Sequence, residues 1–118
     1  MSFAEAVQTA LVRKYADFQG RAKRPEFWWF MLALALVTVV AALIDAASGN
    51  RSILEALVTL ATIVPSLSVG ARRLHDCDRS GWWQLLSLVP LIGTIVLIVW
   101  WAQPGNVGPN RFGPPPAG

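Results

Sequence analysis

The sequence contains few charged side chains, which make up 14% of its 118 residues, whereas 54% of the residues are hydrophobic. A small soluble domain has a high surface-to-volume ratio and needs polar residues to cover its surface. The charges that are present are grouped into a few clusters, and long stretches between them carry none. This composition excludes an ordinary soluble domain and predicts one membrane domain whose apolar faces are solvated by lipid.

Cysteine and histidine are scarce as well, with one residue of each. Because Cys77 is the only cysteine, an intramolecular disulfide is excluded. A typical zinc site needs more histidines or cysteines, and the sequence has no phosphate-binding glycine loop, nucleophile elbow or zincin motif. We therefore expect no catalytic residues, no metal and no other cofactor, which argues against an enzyme.

Three apolar segments predict membrane-spanning helices, over residues 27–47, 53–71 and 82–102. Pro25 and Glu26 suit the first turn of the first helix. No apolar segment with a cleavage site precedes it, so we expect an uncleaved signal-anchor. The second segment is the weakest, because Pro65 lies in its middle, and a broken or re-entrant segment is the alternative. Pro90 and Gly93 predict a bend in the third.

The segments before and after these spans have other patterns. Residues 2–15 predict a short amphipathic helix, which lies on the lipid surface, packs on the bundle or is simply a short cytoplasmic helix. The proline- and glycine-rich tail predicts an extended or disordered segment. We therefore expect an all-α membrane protein with one domain, residues 1–118. It comprises an N-terminal helix and basic connector (1–24), a bundle of three transmembrane helices (25–103) and an extended tail (104–118).

The positive charges predict an orientation in the cell inner (plasma) membrane. With three spans, the N-terminal segment and the second loop share a side that carries eight of the ten Lys and Arg residues, and Arg51 and Arg111 lie on the other side. The positive-inside rule then predicts a cytoplasmic N-terminus and an external C-terminus. All six tryptophans lie at predicted span ends, where indole rings prefer the headgroup level.

Seven polar or ionisable side chains fall within the eight positions from Arg72 to Arg79. In a structural interpretation, the arginines retain the topology and pair with Asp76 and Asp78. In a second interpretation, they bind an anion or lipid headgroup together with free helix N–H groups. Catalysis or metal binding is the weakest, because four consecutive residues cannot all face one centre. The candidate headgroup site comprises Arg21, Arg24, Arg72, Arg73, His75, Asp76 and Arg79.

The residues indicate no biochemical activity directly. We expect a lipid-interacting or accessory module with a basic cytoplasmic face, whose partners are membrane lipids and not nucleic acid. The alternative is a small transporter or channel subunit, which would need an oligomer because three helices enclose little of a pore. Ionisable residues inside the membrane usually indicate an ion path, and only Asp45 and Glu55 come near such a position. Both lie at span ends. A homo-oligomer or a membrane-protein partner is left open.

Four short motifs resemble one known family. Residues 18–29 have the sequence FQGRAKRPEFWW, residues 72–76 RRLHD, residues 79–83 RSGWW and residues 104–114 PGNVGPNRFGP. In this order they resemble the signatures of the domain-of-unknown-function 805 family, small and mostly bacterial inner-membrane proteins. Pro25, Cys77 and Pro115 depart from the residues common in that family. The resemblance covers about residues 10–114 and implies a membrane location and a fold, but no activity.

Overall fold

The computed structural model describes residues 2–49 and 51–115. Over these residues the regular elements are all helical. They are α1 (Phe3–Gln8) with a π-helical turn (Thr9–Arg13), α2 (Arg24–Ser48), α3 (Ile53–Asp76), a 3₁₀ helix (Gly81–Leu88) and α4 (Ile92–Ala102). Of these elements, α2 and α3 are long and apolar enough to cross a membrane, so the expected all-α fold is present with two such helices instead of three.

Helix α2 confirms the first predicted span. It has 25 residues, with Pro25 in its first turn, and ends at Gly49, whose φ of 74° terminates the helix in the left-handed region. At 1.5 Å per residue its length is about 37 Å, enough for a hydrocarbon core of about 30 Å. The Asp45 carboxylate accepts the backbone N–H groups of Leu54 and Glu55 at 3.0 Å each. Asp45 is therefore a cap that holds the start of α3 against α2.

Helix α3 confirms the second predicted span as one continuous helix of 24 residues, five residues longer at its C-terminal end than expected. Pro65 lies inside it and has no N–H to donate to the carbonyl of Ala61. The Tyr15 hydroxyl donates to that carbonyl oxygen at 2.7 Å. A side chain from the N-terminal connector thus supplies the hydrogen bond that the proline removes, and the helix continues.

The prediction of a single third span over residues 82–102 is wrong. The 3₁₀ helix of eight residues is followed by a reversal at Val89–Leu91 and by the eleven residues of α4. Trp83 and Trp100, at the two open ends, lie 5.7 Å apart by ring centroid. Residues 81–102 therefore form an antiparallel hairpin, and each arm is about 16 Å long, half of a bilayer core.

Pro90 and the residue after it cause this reversal. Val89 is extended, as residues before proline tend to be. Leu91 has φ 65° and ψ −62°, and the N–H of Ile92 donates to the Pro90 carbonyl oxygen at 2.7 Å. These are the dihedral angles and the bond of a tight γ-turn with positive φ. The sequence predicts a bend here, but the chain turns back completely.

The N-terminal helix packs on the bundle. Ala6 and Ala10 are buried, and the Phe3 ring contacts the edge of Trp29 at 5.6 Å. Ser2 caps α1 by accepting the N–H of Glu5 at 3.2 Å. These contacts agree with the interpretation in which the segment packs on the bundle.

The described part of the tail, residues 104–115, is folded against the end of α3 rather than extended. Asn110 and Gly113 exchange two backbone hydrogen bonds of 3.0 Å each, and the Asn106 N–H donates to the Asp76 carbonyl oxygen at 2.8 Å. The expectation of an extended segment also covers residues 116–118, which lie outside the described residues.

The N-terminal connector, the end of α3, both open ends of the hairpin and the tail meet at one end of the molecule. We call this region the polar end. The hairpin therefore brings the tail to the end of the molecule where the N-terminal connector lies, whereas a third full-length helix would have placed it at the other end. The tryptophans follow the same arrangement, since Trp101 lies 4.9 Å from Phe27 at the start of α2.

Candidate functional site

The polar end contains a cluster of buried charged side chains, defined here as Arg21, Glu26, Arg72, Arg73 and Asp76. Each of these residues is at most 5% exposed, and Arg72 and Arg73 have no exposed surface. Charged groups are buried at low cost only when they are paired and hydrogen-bonded. The partners of each side chain therefore indicate what the cluster does.

Asp76 links two of the arginines. Its two carboxylate oxygens accept hydrogen bonds from Arg21 Nε and Arg73 Nη1, each at 2.8 Å. Arg21 belongs to the connector before α2, whereas Arg73 and Asp76 lie one turn apart in α3. This three-residue group therefore fixes the connector to the end of α3.

Arg72 pairs with a different carboxylate. Its Nη1 atom donates to Glu26, in the first turn of α2, and its Nε donates to the Asp17 carbonyl oxygen at 3.1 Å. Its Nη2 is buried and has no hydrogen-bond partner within residues 2–49 and 51–115. Arg72 thus joins α3 to both α2 and the connector.

Arg21 also holds the tail. It donates to the carbonyl oxygens of Asn106, Gly108 and Gly113, at 2.6, 2.9 and 3.2 Å. Gly105 lies against the Asp76 carboxylate, where a Cβ atom would overlap the carboxylate oxygens. A larger residue at this position would move the tail away from the cluster.

Arg73 holds the end of the hairpin. Its Nε donates to the Trp101 carbonyl oxygen at 2.9 Å, and its Nη2 donates to that of Gln103. The last carbonyl groups of a helix have no intrahelical partner and carry partial negative charge. Arg73 satisfies these groups at the end of α4 and so joins the end of the hairpin to α3.

His75 lies beside the cluster and is 9% exposed. Its Nδ1 is 2.9 Å from the Gly20 carbonyl oxygen, and because a carbonyl only accepts, Nδ1 carries the proton. The ring stacks on Phe112 of the tail, with centroids 4.0 Å apart and planes 5° apart. The Asn110 side-chain amide donates to the His75 carbonyl oxygen at 2.9 Å. His75 therefore contacts the connector and the tail together.

Two further contacts of charged side chains lie around the cluster. The Arg79 guanidinium lies 4.3 Å from the Trp100 ring centroid, a cation–π contact at the hairpin entrance. The exposed Arg111 side chain donates to Asp78 at 3.1 Å, and this hydrogen bond lowers the pKa of Asp78 below its usual value. The exposed pair of Arg111 and Asp78 adds little to stability.

Lys23 and Arg24 face outward beside the cluster. Arg24 is exposed and Lys23 is half-buried, and both line a cleft of about 360 Å³ between the start of α2 and the tail. Pro104 and Asn106 form the opposite wall, and the Asp76 carboxylate lies at the inner surface. Arg21 and Arg73 neutralise that carboxylate, so Lys23 and Arg24 give the cleft its positive charge.

The structure brings most of the sequence-predicted site residues together, but in different roles. Arg21 and Arg73 both donate to Asp76, and Arg72 and His75 lie beside them on α3. Arg24 lies outside on the cleft and Arg79 lies against Trp100. Sequence reasoning missed Glu26 as the partner of Arg72. Its position directly after Arg21, Lys23 and Arg24 was a signal that this carboxylate belongs to the charged cluster. It also missed the tail carbonyl groups, which have no signal in side-chain chemistry.

Two helices able to cross a bilayer, a half-length hairpin and a buried arginine cluster define a small helical membrane protein. The comparisons with known proteins agree with this class. Residues 15–114 match the family described as "Protein of unknown function (DUF805)", and the chain belongs to that family.

The chain is similar to two proteins of Escherichia coli (strain K12). It is 41% identical to "Inner membrane protein YhaH" over 111 residues, which cover 90% of this chain and 92% of that protein. It is 43% identical to "Inner membrane protein YhaI" over 108 residues, which cover 91% and 92%. No solved structure matches the chain. The protein is therefore an inner-membrane protein of a family without an assigned activity.

Proposed function

We propose that this protein is a non-enzymatic module of the inner membrane that binds anionic lipid headgroups at a basic cytoplasmic face. The observation that carries the proposal is the cleft beside Lys23 and Arg24. It lies where α2 begins, next to Trp28 and Trp29, both 39% exposed. Tryptophan side chains prefer the headgroup level, so a lipid phosphate at that depth is within reach of both cations.

The buried cluster supports this function indirectly. Arg21, Arg73 and Asp76 hold the tail in place, and the tail forms one wall of the cleft. The N–H groups in the first turn of α2 add partial positive charge on the other wall. In this proposal Arg24 contacts the headgroup, and the buried arginines and His75 position the parts that surround it.

The proposed orientation places both the N-terminal segment and the tail in the cytoplasm, with residues 81–102 as a re-entrant hairpin. Nine of the ten Lys and Arg residues then lie on the cytoplasmic side, and only Arg51 lies outside. This is a stronger positive-inside bias than a three-span arrangement gives. The nine are Arg13, Lys14, Arg21, Lys23, Arg24, Arg72, Arg73, Arg79 and Arg111.

Native mass spectrometry of the protein with its co-purified lipids tests headgroup binding. The Lys23→Ala/Arg24→Ala double variant should lose about tenfold in retained phosphatidylglycerol, because loss of charge-assisted hydrogen bonds costs more than 1.4 kcal/mol. The matched control is Arg13→Ala/Arg51→Ala, which removes the same charge from exposed positions away from the cleft. Equal retention by the two double variants would refute a specific cleft site.

The alternative of a transporter or channel subunit has less support. Asp45, one of its two ionisable candidates, caps α3 with both carboxylate oxygens. Glu55 is half-buried in the first turn of the same helix, where a negative charge complements the helix dipole. Both groups therefore have structural roles at the end of the membrane-spanning pair.

A further inference from the structure

A second and larger cavity lies on another face of the protein. It is a groove of about 670 Å³ between the last third of α3 and the 3₁₀ helix of the hairpin. Its apolar walls include Leu67 and Ala71 of α3, Trp82 and Leu85 of the hairpin, and Phe18 and Phe112. None of its lining residues belongs to the cleft beside Lys23 and Arg24. The groove is therefore separate from the proposed headgroup site.

The groove opens sideways, toward the position that lipid would occupy. Trp82 is 79% exposed, Leu85 57% and Leu88 77% along its hairpin side. The 3₁₀ helix runs antiparallel to α3, since Gly81 meets Ala71 and the Gln84 amide donates to the Leu67 carbonyl oxygen at 3.0 Å. The residues from Leu67 to His75 extend over about 12 Å, so the groove leads from the polar end into the hydrocarbon region.

The lining of the groove contains no lysine, arginine, aspartate or glutamate. Its amide and one of its hydroxyls already have partners, because Gln84 bonds to Leu67 and Ser80 accepts the N–H of Trp82 at 3.3 Å. An ionised headgroup would find no opposite charge here and would lose its hydration. The groove therefore suits an uncharged, mostly apolar ligand.

Of the polar side chains that line the groove, His75 is the most buried, and one of its ring nitrogens has no partner among the described residues. His75 is about nine-tenths buried, and its Nδ1 is committed to the Gly20 carbonyl oxygen. Its Nε2 faces Gly81, 3.5 Å from where a Cβ atom would lie, and both residues line the groove. Nε2 has no hydrogen bond to any of the described residues. In the neutral ring, this nitrogen is an acceptor directed at the ligand space.

We propose that the groove binds an uncharged membrane lipid with a free hydroxyl group, of the diacylglycerol type. The hydroxyl donates to His75 Nε2 at the polar end, and a hydrocarbon chain lies along Leu67, Leu85 and Leu88. A volume of this size is typical of small-molecule sites with apolar walls and few polar groups. The inference goes beyond headgroup binding, and either site can exist without the other.

Competitive binding of two lipids to the full-length protein in phosphatidylcholine nanodiscs tests this assignment. The probes are dioleoylglycerol and the same lipid with its hydroxyl acetylated. Dioleoylglycerol should bind about tenfold more tightly, because the acetylated lipid leaves a buried acceptor without a donor. Equal affinity for the two lipids would overturn the role of His75, and this comparison needs no variant.

Three variants locate the site. Leu85→Trp fills the groove from an exposed position and should reduce dioleoylglycerol binding about tenfold, a change of 1.4 kcal/mol. Leu43→Trp, at a position on α2 that is 65% exposed, should leave it unchanged. His75→Phe keeps a ring against Phe112 and should abolish the preference for the free hydroxyl.

Unchanged binding by Leu85→Trp would overturn the proposal. The proposal would also be overturned if the wild-type protein retained phosphatidylglycerol and Leu85→Trp abolished that retention, because the occupant of the groove would then be anionic.

Discussion

Two apolar segments of this protein each contain a proline, and they fold differently. Helix α3 passes through Pro65 without a break, because the Tyr15 hydroxyl donates to the carbonyl that the proline leaves free. The segment from Gly81 to Ala102 reverses at Pro90, and Arg73 holds its returning end through the carbonyls of Trp101 and Gln103. In both segments a side chain from another part of the chain binds backbone carbonyls, at the continuing helix in one case and at the end of the hairpin in the other.

Removal of the Arg73 side chain should have the largest effect on the stability of the protein and of its hairpin. Arg73→Met leaves Asp76 with one cationic partner and frees the carbonyls at the end of α4. We expect a loss of about 3–5 kcal/mol in the free energy of unfolding, as for other broken buried pairs. The half-buried Cys77, whose Sγ is 3.6 Å from the Trp100 carbonyl oxygen, should also react faster with maleimide as the hairpin loosens.

The exposed Arg51→Met variant is the control for Arg73. It lies at the opposite end of the molecule and should change stability by less than about 0.5 kcal/mol. If Arg73→Met leaves both the unfolding free energy and the Cys77 labelling rate at wild-type values, the hairpin is held by something else.

Removal of the hydrogen bond between the Tyr15 hydroxyl and the Ala61 carbonyl oxygen should have the next largest effect on stability. Tyr15→Phe removes the donor and leaves the carbonyl unsatisfied, at a cost of about 1–3 kcal/mol. In a Pro65→Ala background the restored backbone N–H satisfies that carbonyl, so the same substitution should cost little. A double-mutant cycle of unfolding free energies measures the difference. Equal costs in the two backgrounds would show that Tyr15 does not compensate for Pro65.

A substitution at the turn of the hairpin should increase the stability of the protein instead of reducing it. Leu91 has a positive φ, which strains a residue with a side chain, whereas glycine adopts this conformation readily. Leu91→Gly should therefore stabilise the protein by about 1 kcal/mol. Thermal unfolding in detergent is the measurement, with Leu88→Gly in the 3₁₀ helix as a control that should be destabilising. A lower melting temperature for Leu91→Gly would contradict the observed turn.

Removal of the exposed ion pair between Asp78 and Arg111 should have the smallest effect on stability. Because Arg111 lowers the pKa of Asp78 in the folded protein, the pair stabilises the fold above the ordinary pKa of an aspartate. That contribution is lost as the pH falls through the lowered folded value. Asp78→Asn should therefore reduce stability slightly at pH 7, and this reduction should become smaller as the pH falls below the ordinary pKa of an aspartate. A reduction that does not change with pH would contradict the shifted pKa.

The sequence predicts α2, α3 and the grouping of Arg21, Arg73 and Asp76, since hydropathy and charge have a direct pattern along the chain. It does not predict the hairpin, because the hydropathy of residues 82–102 is the same whether they cross or return. The deciding contacts join Arg73 to backbone carbonyls about thirty residues away. The folded tail is missed for the same reason, since its contacts to Arg21 are made by carbonyl groups.

Reporter fusions to the C-terminal end of the chain test the central claim, that the hairpin returns the tail to the cytoplasmic side. A fusion of green fluorescent protein after Gly118 should be fluorescent, and a fusion of alkaline phosphatase at the same position should be inactive. A phosphatase fusion after Gly49, following α2 alone, should be active and serves as the control. An active phosphatase after Gly118, with no fluorescence from the matching fusion, would contradict the account.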